Sequence, residues 1–387
     1  MNPAVPGTEV VTHVVTDFRL AQARESRLAW YFAAAYLLVI VYASLSPFSG
    51  WATPGVAPLA FLDEPWPRRW QRFDLFINWA AYLPFGLLLT LATMRWMRPW
   101  LAVLLATVAG TALSFGLETA QMYLPGRVAS SVDLMVNAAG AFVGALLAAR
   151  TGRMPLWAHF RDLRRRWCLP GRVAEPGLAL VAVWFLTQLD PSLPLLSVRA
   201  LPDAVPIPGT GFIPPRAFST VSALAVALNT LAVGLFVMAF MRQRWHALVA
   251  MLALLAMAVL IKLGAGLAML KSEAAFIWLS AEVLAGIGAG ALLAGVMVAL
   301  PRVKVAGVGI FVLCCSFVAI HLYENPLQPL EALWPFRWNY GQLLNYTGLA
   351  RTMAELWPLA AAAWLWRVRR LLRREALAGA RAAARSL

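Results

Sequence analysis

The sequence predicts an all-α protein, a polytopic transmembrane helical bundle of about ten spans with both termini in the cytoplasm. Three observations carry that reading. Of the 387 residues, 61% are apolar and 13% charged, where soluble domains run nearer half and a quarter; the mean hydropathy is +0.69. The apolar residues fall into blocks of roughly 20, the length a helix needs to cross ~30 Å of hydrocarbon. The formal charge of +15 comes mostly from arginine, 30 of 33 basic residues, gathered between the apolar blocks. In a soluble chain such a charge would point to nucleic acid; here topology explains it, and no nucleic-acid partner is expected.

Taken in order, the spans are expected at 28–45, 75–94, 100–117, 132–149, 177–196, 217–241, 247–270, 274–300, 305–323 and 352–366. With the N-terminus inside, 23 basic residues lie on the cytoplasmic side against 10 outside. An odd number of spans would expel one of the two Arg-rich segments, so an even number follows. Glu9, Asp17 and Glu25 set residues 1–27 apart from a secretory signal peptide. The expected organisation is therefore a cytoplasmic segment at 1–27, a four-helix transmembrane domain at 28–149, an Arg-rich linker at 150–176, a second transmembrane region of about six spans at 177–366, and a basic cytoplasmic tail at 367–387. In the linker, Trp157, Phe160, Leu163 and Trp167 share a helical face ringed by Arg161, Arg164, Arg165 and Arg166, the pattern of an amphipathic helix on an anionic leaflet. Two short matches hint at an internal repeat: Tyr42-Ala-Ser-Leu-Ser-Pro47 with Leu186-Thr-Gln-Leu-Asp-Pro191, and Ser131-Val-Asp133 with Ser280-Ala-Glu282.

The polar residues worth attention flank the turn between the third and fourth spans. At 3.6 residues per turn, Gly110, Ser114, Glu118 and Gln121 share a face of the third helix, and Asp133, Asn137, Gly140 and Gly144 share one on the fourth. Pro125-Gly126 turns the chain between them and carries Arg127. Gly110, Ser114, Gly140 and Gly144 are the small residues that let membrane helices approach closely. Glu118, Gln121, Arg127, Asp133 and Asn137 would then gather near the outer leaflet, with Arg127 between two carboxylates. The second span adds Asn78 from the series Asp74, Asn78, Tyr82, Gly86, and Pro84 interrupts its backbone bonding. These six polar residues are the candidate ligand-binding set.

Two plainer readings stand beside it. Ser130 and Asp133 have the spacing of a capping box, and Glu118, Arg127 and Asp133 have the composition of a structural ion cluster. No Gly-rich phosphate loop and no HExxH motif occurs, and Cys168, Cys314 and Cys315 have no metal spacing, so neither cofactor nor metal is expected. Lys262 and Glu282 are expected either to pair or to snorkel from span ends. The loop holding Trp334, Phe336, Trp338 and Tyr340 reads as an aromatic belt.

The spacing Glu118-x2-Gln121-x5-Arg127-x5-Asp133-x3-Asn137-x2-Gly140 resembles the signature of VanZ-like membrane proteins. Ser44-Leu-Ser-Pro47 closing the first span and Asn78 followed by Leu83-Pro84-Phe85-Gly86 agree with it. The resemblance covers roughly residues 30–150; the second half has no counterpart of Glu118, Gln121 and Arg127. It implies envelope biology in a bacterial cytoplasmic membrane, and a link to low-level resistance to the glycopeptide teicoplanin. The first expectation is an accessory protein that binds an envelope lipid or lipid-linked glycan at the polar site. The alternatives are a membrane enzyme acting on a polyprenyl-phosphate or glycan substrate, and a transporter.

Overall fold

The computed structural model describes residues 26–46, 48–63, 72–152, 154–169, 171–191, 195, 219–322, 336 and 341–385. Residues 1–25 of the N-terminal segment, and Trp334, Trp338 and Tyr340 of the aromatic loop, lie outside them. Among the described residues the chain forms eleven α-helices and no strand, with isolated bridges only at Cys168–Met241 and Leu270–Phe336. In order these are α1 (Leu28–Leu45), α2 (Arg72–Thr93), α3 (Pro99–Gln121), α4 (Ser131–Thr151), α5 (Pro155–Trp167), α6 (Gly171–Thr187), α7 (Thr220–Phe240), α8 (Arg244–Met269), α9 (Ala281–Met297), α10 (Arg302–Leu322) and α11 (Gly341–Arg385).

Among the described residues six helices are long and apolar enough to cross a membrane: α1, α3, α4 and α7 whole, Asp74–Thr93 of α2 and Trp245–Met269 of α8. Val173–Thr187 of α6 and Ala281–Met297 are shorter apolar helices. Of the last two expected spans, residues 305–322 lie in α10 and 352–366 in α11. α11 differs from the sequence reading in length. It runs unbroken for 45 residues from Gly341 through the Arg-rich tail to Arg385, because Ala, Leu and Arg, which fill that tail, are the strongest helix formers.

Local signals start the helices as the residue types require. Pro99 stands in the first turn of α3, where its missing N–H removes no bond. Ser130, Ser219 and Ser280 are the N-caps of α4, α7 and α9, each accepting a backbone N–H through its hydroxyl. Pro84 within α2 and Pro358 within α11 are carried inside the helices.

Close packing in the first quartet depends on absent side chains. A Cβ on Gly86 would fall 1.9 Å from the Ala141 carbonyl oxygen, one on Gly144 1.9 Å from that of Leu83, and one on Gly140 2.2 Å from that of Trp79. All three lie between α2 and α4, whose backbones touch; without a hydrophobic drive between helices in lipid, such van der Waals contact is what holds spans together. The helical wheel set Gly140 and Gly144 towards α3. The structure turns them to α2 and leaves Gly110 to meet the Ala141 side chain across α3–α4. A wheel fixes azimuth along one helix but not which neighbour occupies that azimuth, and here α2 wedges in.

The second half repeats this device. Gly286 and Gly290 of α9 face the carbonyl oxygens of Ala223 and Ala227 in α7, and those two alanines stand 144 positions after Trp79 and Leu83. α6 follows α1, α7 follows α2 and α8 follows α3 at nearly the same spacing. Phe236 and Phe240 of α7 pack against Trp357 and Trp364 of α11 in tilted and edge-on contacts in the core of this half.

Polar contacts join the two halves. The Arg27 N–H donates to Glu175 Oε2 at 2.9 Å, Glu175 Oε1 pairs with Arg164 of α5 at 2.5 Å, and Tyr42 Oη meets Thr352 Oγ1 at 2.8 Å. In the link between α5 and α6, burial pushes the Cys168 thiol up to about 11, so it stays protonated and unreactive at neutral pH.

Candidate functional site

The site begins where α1 ends. The last four carbonyls of a helix lack intrahelical partners, and α1 has no basic residue in its last turn to meet them. The loop after α3 supplies the donors. Arg127 Nη2 donates to the carbonyls of Ala43 at 3.0 Å and Ser46 at 2.8 Å, and Gln121 Nε2 donates to Ser44 at 3.0 Å. The Phe48 N–H closes on Leu45. A guanidinium here also opposes the negative end of the α1 dipole. Burial lowers the Arg127 pKa from its ordinary value; the carbonyls it binds offset that desolvation. The chain leaves α1 under strain, with Phe48 at φ 60° in the left-handed region and its ring 5.4 Å from that of Tyr42.

Next to this cap lies the start of α4. The Ser130 hydroxyl accepts from Val132 N at 3.2 Å, as an N-cap should. In a capping box the Asp133 carboxylate would take the Ser130 N–H. Instead Glu118 Oε2, reaching across from α3, takes it at 2.9 Å. Asp133 is thereby left to accept from Asn78 Nδ2 of α2 at 2.7 Å. One turn deeper, Asn137 Nδ2 donates to Ser114 Oγ at 3.0 Å, and the Tyr82 hydroxyl lies within hydrogen-bonding reach of the same serine. Glu118 and Asn137 are each only 5% exposed.

The structure thus brings all six candidates to one end of α1–α4 but pairs them differently from the sequence reading. On α2, Asn78 and Gly86 face α4, while Tyr82 meets Ser114 of α3. Arg127 was expected between Glu118 and Asp133; its Nη2 goes to α1. The sequence reading missed Tyr82 as a neighbour of Ser114, and missed that the Ser44-Leu-Ser46 carbonyls need donors. A helix ending in Ser-Leu-Ser-Pro with no basic residue in its last turn was the available signal. Among the described residues no three His, Cys, Asp or Glu side chains gather as metal ligands.

Residues 21–152 match the family model described as VanZ/LLP1. This part of the chain is similar to the VanZ/LLP1 family and is called VanZ-like below. It ends with α4, before the Arg-rich α5. No curated protein and no solved structure matches the chain. With six helices among the described residues long and apolar enough to cross a membrane, the protein is a membrane protein.

The second half meets the corresponding ends with different chemistry. Lys262, 144 positions after Glu118, donates through Nζ to the Asp190 carbonyl, itself 144 positions after Ser46. Glu282 Oε1 accepts the N–H of the N-cap Ser219 at 3.2 Å. Lys262 and Glu282, 1% and 5% exposed, are buried against backbone groups instead of snorkelling, the first on the Asp190 carbonyl beyond the end of α6 and the second on the Ser219 N–H at the start of α7.

For the VanZ-like domain the bonding pattern predicts that Arg127→Ala frays the last turn of α1, at a cost of about 1 kcal/mol, chiefly for the part-buried Ser46 carbonyl left without its donor. Arg127→Lys restores part of this, since an ammonium reaches one carbonyl but lacks the guanidinium fork. Thermal unfolding of the purified full-length variants in detergent checks both.

Proposed function

We propose that the VanZ-like domain holds the headgroup of an envelope lipid or lipid-linked glycan in the polar layer at the end of α2–α4. In a bacterial cytoplasmic membrane it would thereby alter susceptibility to teicoplanin. One observation supports this reading above others: acceptor capacity is left over. Glu118 spends Oε2 on Ser130 and Asp133 spends Oδ1 on Asn78, while Oε1 and Oδ2 meet no donor among the described residues. The Asn137 Oδ1 atom is buried without a hydrogen-bond partner. Three unfilled acceptors in a low-dielectric layer favour a ligand rich in donors, such as the hydroxyls and amide N–H groups of a sugar or an ammonium headgroup. The strained Phe48 turn and the Arg127 cap form the rim of this layer.

A second reading has its own observation. Each of the six polar side chains also makes at least one bond inside the protein, so the cluster serves as a lock on helix packing. Glu118→Gln and Asp133→Asn separate the two, because a carboxamide still accepts the Ser130 N–H or the Asn78 amide while the charge is lost. Lipidomics of the full-length protein in native nanodiscs should show one envelope lipid class enriched with wild type and lost with the double variant, along with the change in teicoplanin susceptibility. Equal lipid profiles and equal susceptibility at equal expression would leave only the lock. Turnover of the retained lipid by the purified protein would move the reading to an enzyme, and flux in proteoliposomes to a transporter.

A further inference from the structure

Far from the VanZ-like domain, the second half contains a cavity of about 610 Å³ where α7 and α9 end and α8 and α10 begin, closed on one side by Leu372 of α11. Its walls are of two kinds. Met238, Ala247 and Leu372 are apolar, while Arg242, Gln243 and Arg302 stand at the helix ends, and among the described residues no acidic one lines it.

The two arginines are held in place by backbone. Arg302 Nη2 donates to the carbonyls of Met241 and Arg242, and Arg242 Nε donates to the Cys168 carbonyl at 3.0 Å. Arg302 thereby neutralises the negative end of α7, which would otherwise repel an anion. The first turns of α8 and α10, with their positive ends, border the same space. The cavity also lies at the level of the Arg-rich α5. The Arg242 N–H donates to the Trp167 carbonyl at 2.7 Å, the Leu169 N–H donates to Phe240 at 2.8 Å, and the Trp167 ring stacks 4.6 Å from His246. An amphipathic basic helix lies at the membrane surface, so this end of the bundle is at headgroup depth.

We propose that this cavity binds the phosphate of an anionic phospholipid, with the arginines at the phosphate and the acyl chains against the apolar wall. Two features argue for a lipid over a free anion: apolar side chains wall the cavity beside its arginines, and the basic residues sit where an anionic leaflet concentrates phosphate.

The test uses full-length protein in nanodiscs of phosphatidylcholine carrying a small fraction of phosphatidylglycerol, with bound lipid counted by native mass spectrometry. Wild type should retain phosphatidylglycerol well above its share of the bilayer. Arg242→Gln combined with Gln243→Glu changes the local charge by two units without touching Arg302. At about fivefold in affinity per charge near the surface, retention should fall about 25-fold. Both positions are exposed at the helix ends, and an unchanged melting temperature in pure phosphatidylcholine will show that the variant folds. Three results would overturn the proposal: no enrichment with wild type, equal enrichment with the folded variant, or inorganic phosphate alone raising the melting temperature as much as the lipid does and displacing it.

Discussion

Gly144→Ala will leave the protein unable to accumulate as a folded species, although it adds one methyl group. That methyl would sit 1.9 Å from the Leu83 carbonyl oxygen, and backbone cannot rotate away as a side chain does. Overpacking a core costs about 1–3 kcal/mol when side chains can adjust; here α4 must lift off α2, which breaks the neighbouring contacts of Gly140 and Gly86 as well. The matched control is Gly116→Ala. A Cβ at Gly116 of α3 meets nothing within 4 Å, so alanine there should be neutral or stabilising by up to about 1 kcal/mol through helix propensity. Size-exclusion profiles and melting temperatures of the two variants should diverge sharply. Equal behaviour would mean that α2 and α4 do not touch backbone to backbone.

Glu118→Ala should produce the next largest loss. It removes the acceptor for the Ser130 N–H at the start of α4 and empties a space that is 5% exposed, and a buried donor left unsatisfied costs about 1–3 kcal/mol. Glu118→Gln should recover most of that stability. The pair therefore separates what the side chain does as an acceptor from what it does as a charge: melting temperature should follow the acceptor, and teicoplanin susceptibility the charge. If alanine melts like wild type, the Ser130–Glu118 bond is not made.

Much of this arrangement was legible in the sequence. Apolar block length located α1–α4, and Ser130 read as an N-cap because a hydroxyl before an apolar run fits few other roles. The grouping of Glu118, Gln121, Arg127, Asp133, Asn137 and Asn78 at one end also followed from helical spacing. What did not follow was the pairing. Charge alone placed Arg127 between carboxylates, but in a low-dielectric layer the orphan carbonyls of a neighbouring helix compete for the same guanidinium, and they belong to a segment 80 residues away. The same competition drew Lys262 to Asp190 and Glu282 to Ser219. The length of α11 was missed for a different reason: charge density marked residues 367–387 as a tail, while the same Arg and Ala residues sustain a helix.

The contacts of α1 have a consequence for the order in which the protein is made. The Arg27 amide is bound by Glu175, 148 residues later, and the Tyr42 hydroxyl meets Thr352, 310 residues later. At about 5–20 residues per second, Tyr42 waits roughly 15 to 60 s for its partner to leave the ribosome. Meanwhile α1 is held by the first half alone, by Gln121 and Arg127 at its end, by Tyr36 on the Ala81 carbonyl along its length and by Arg95 on the Ser26 carbonyl at its start, and only its contacts with the second half wait.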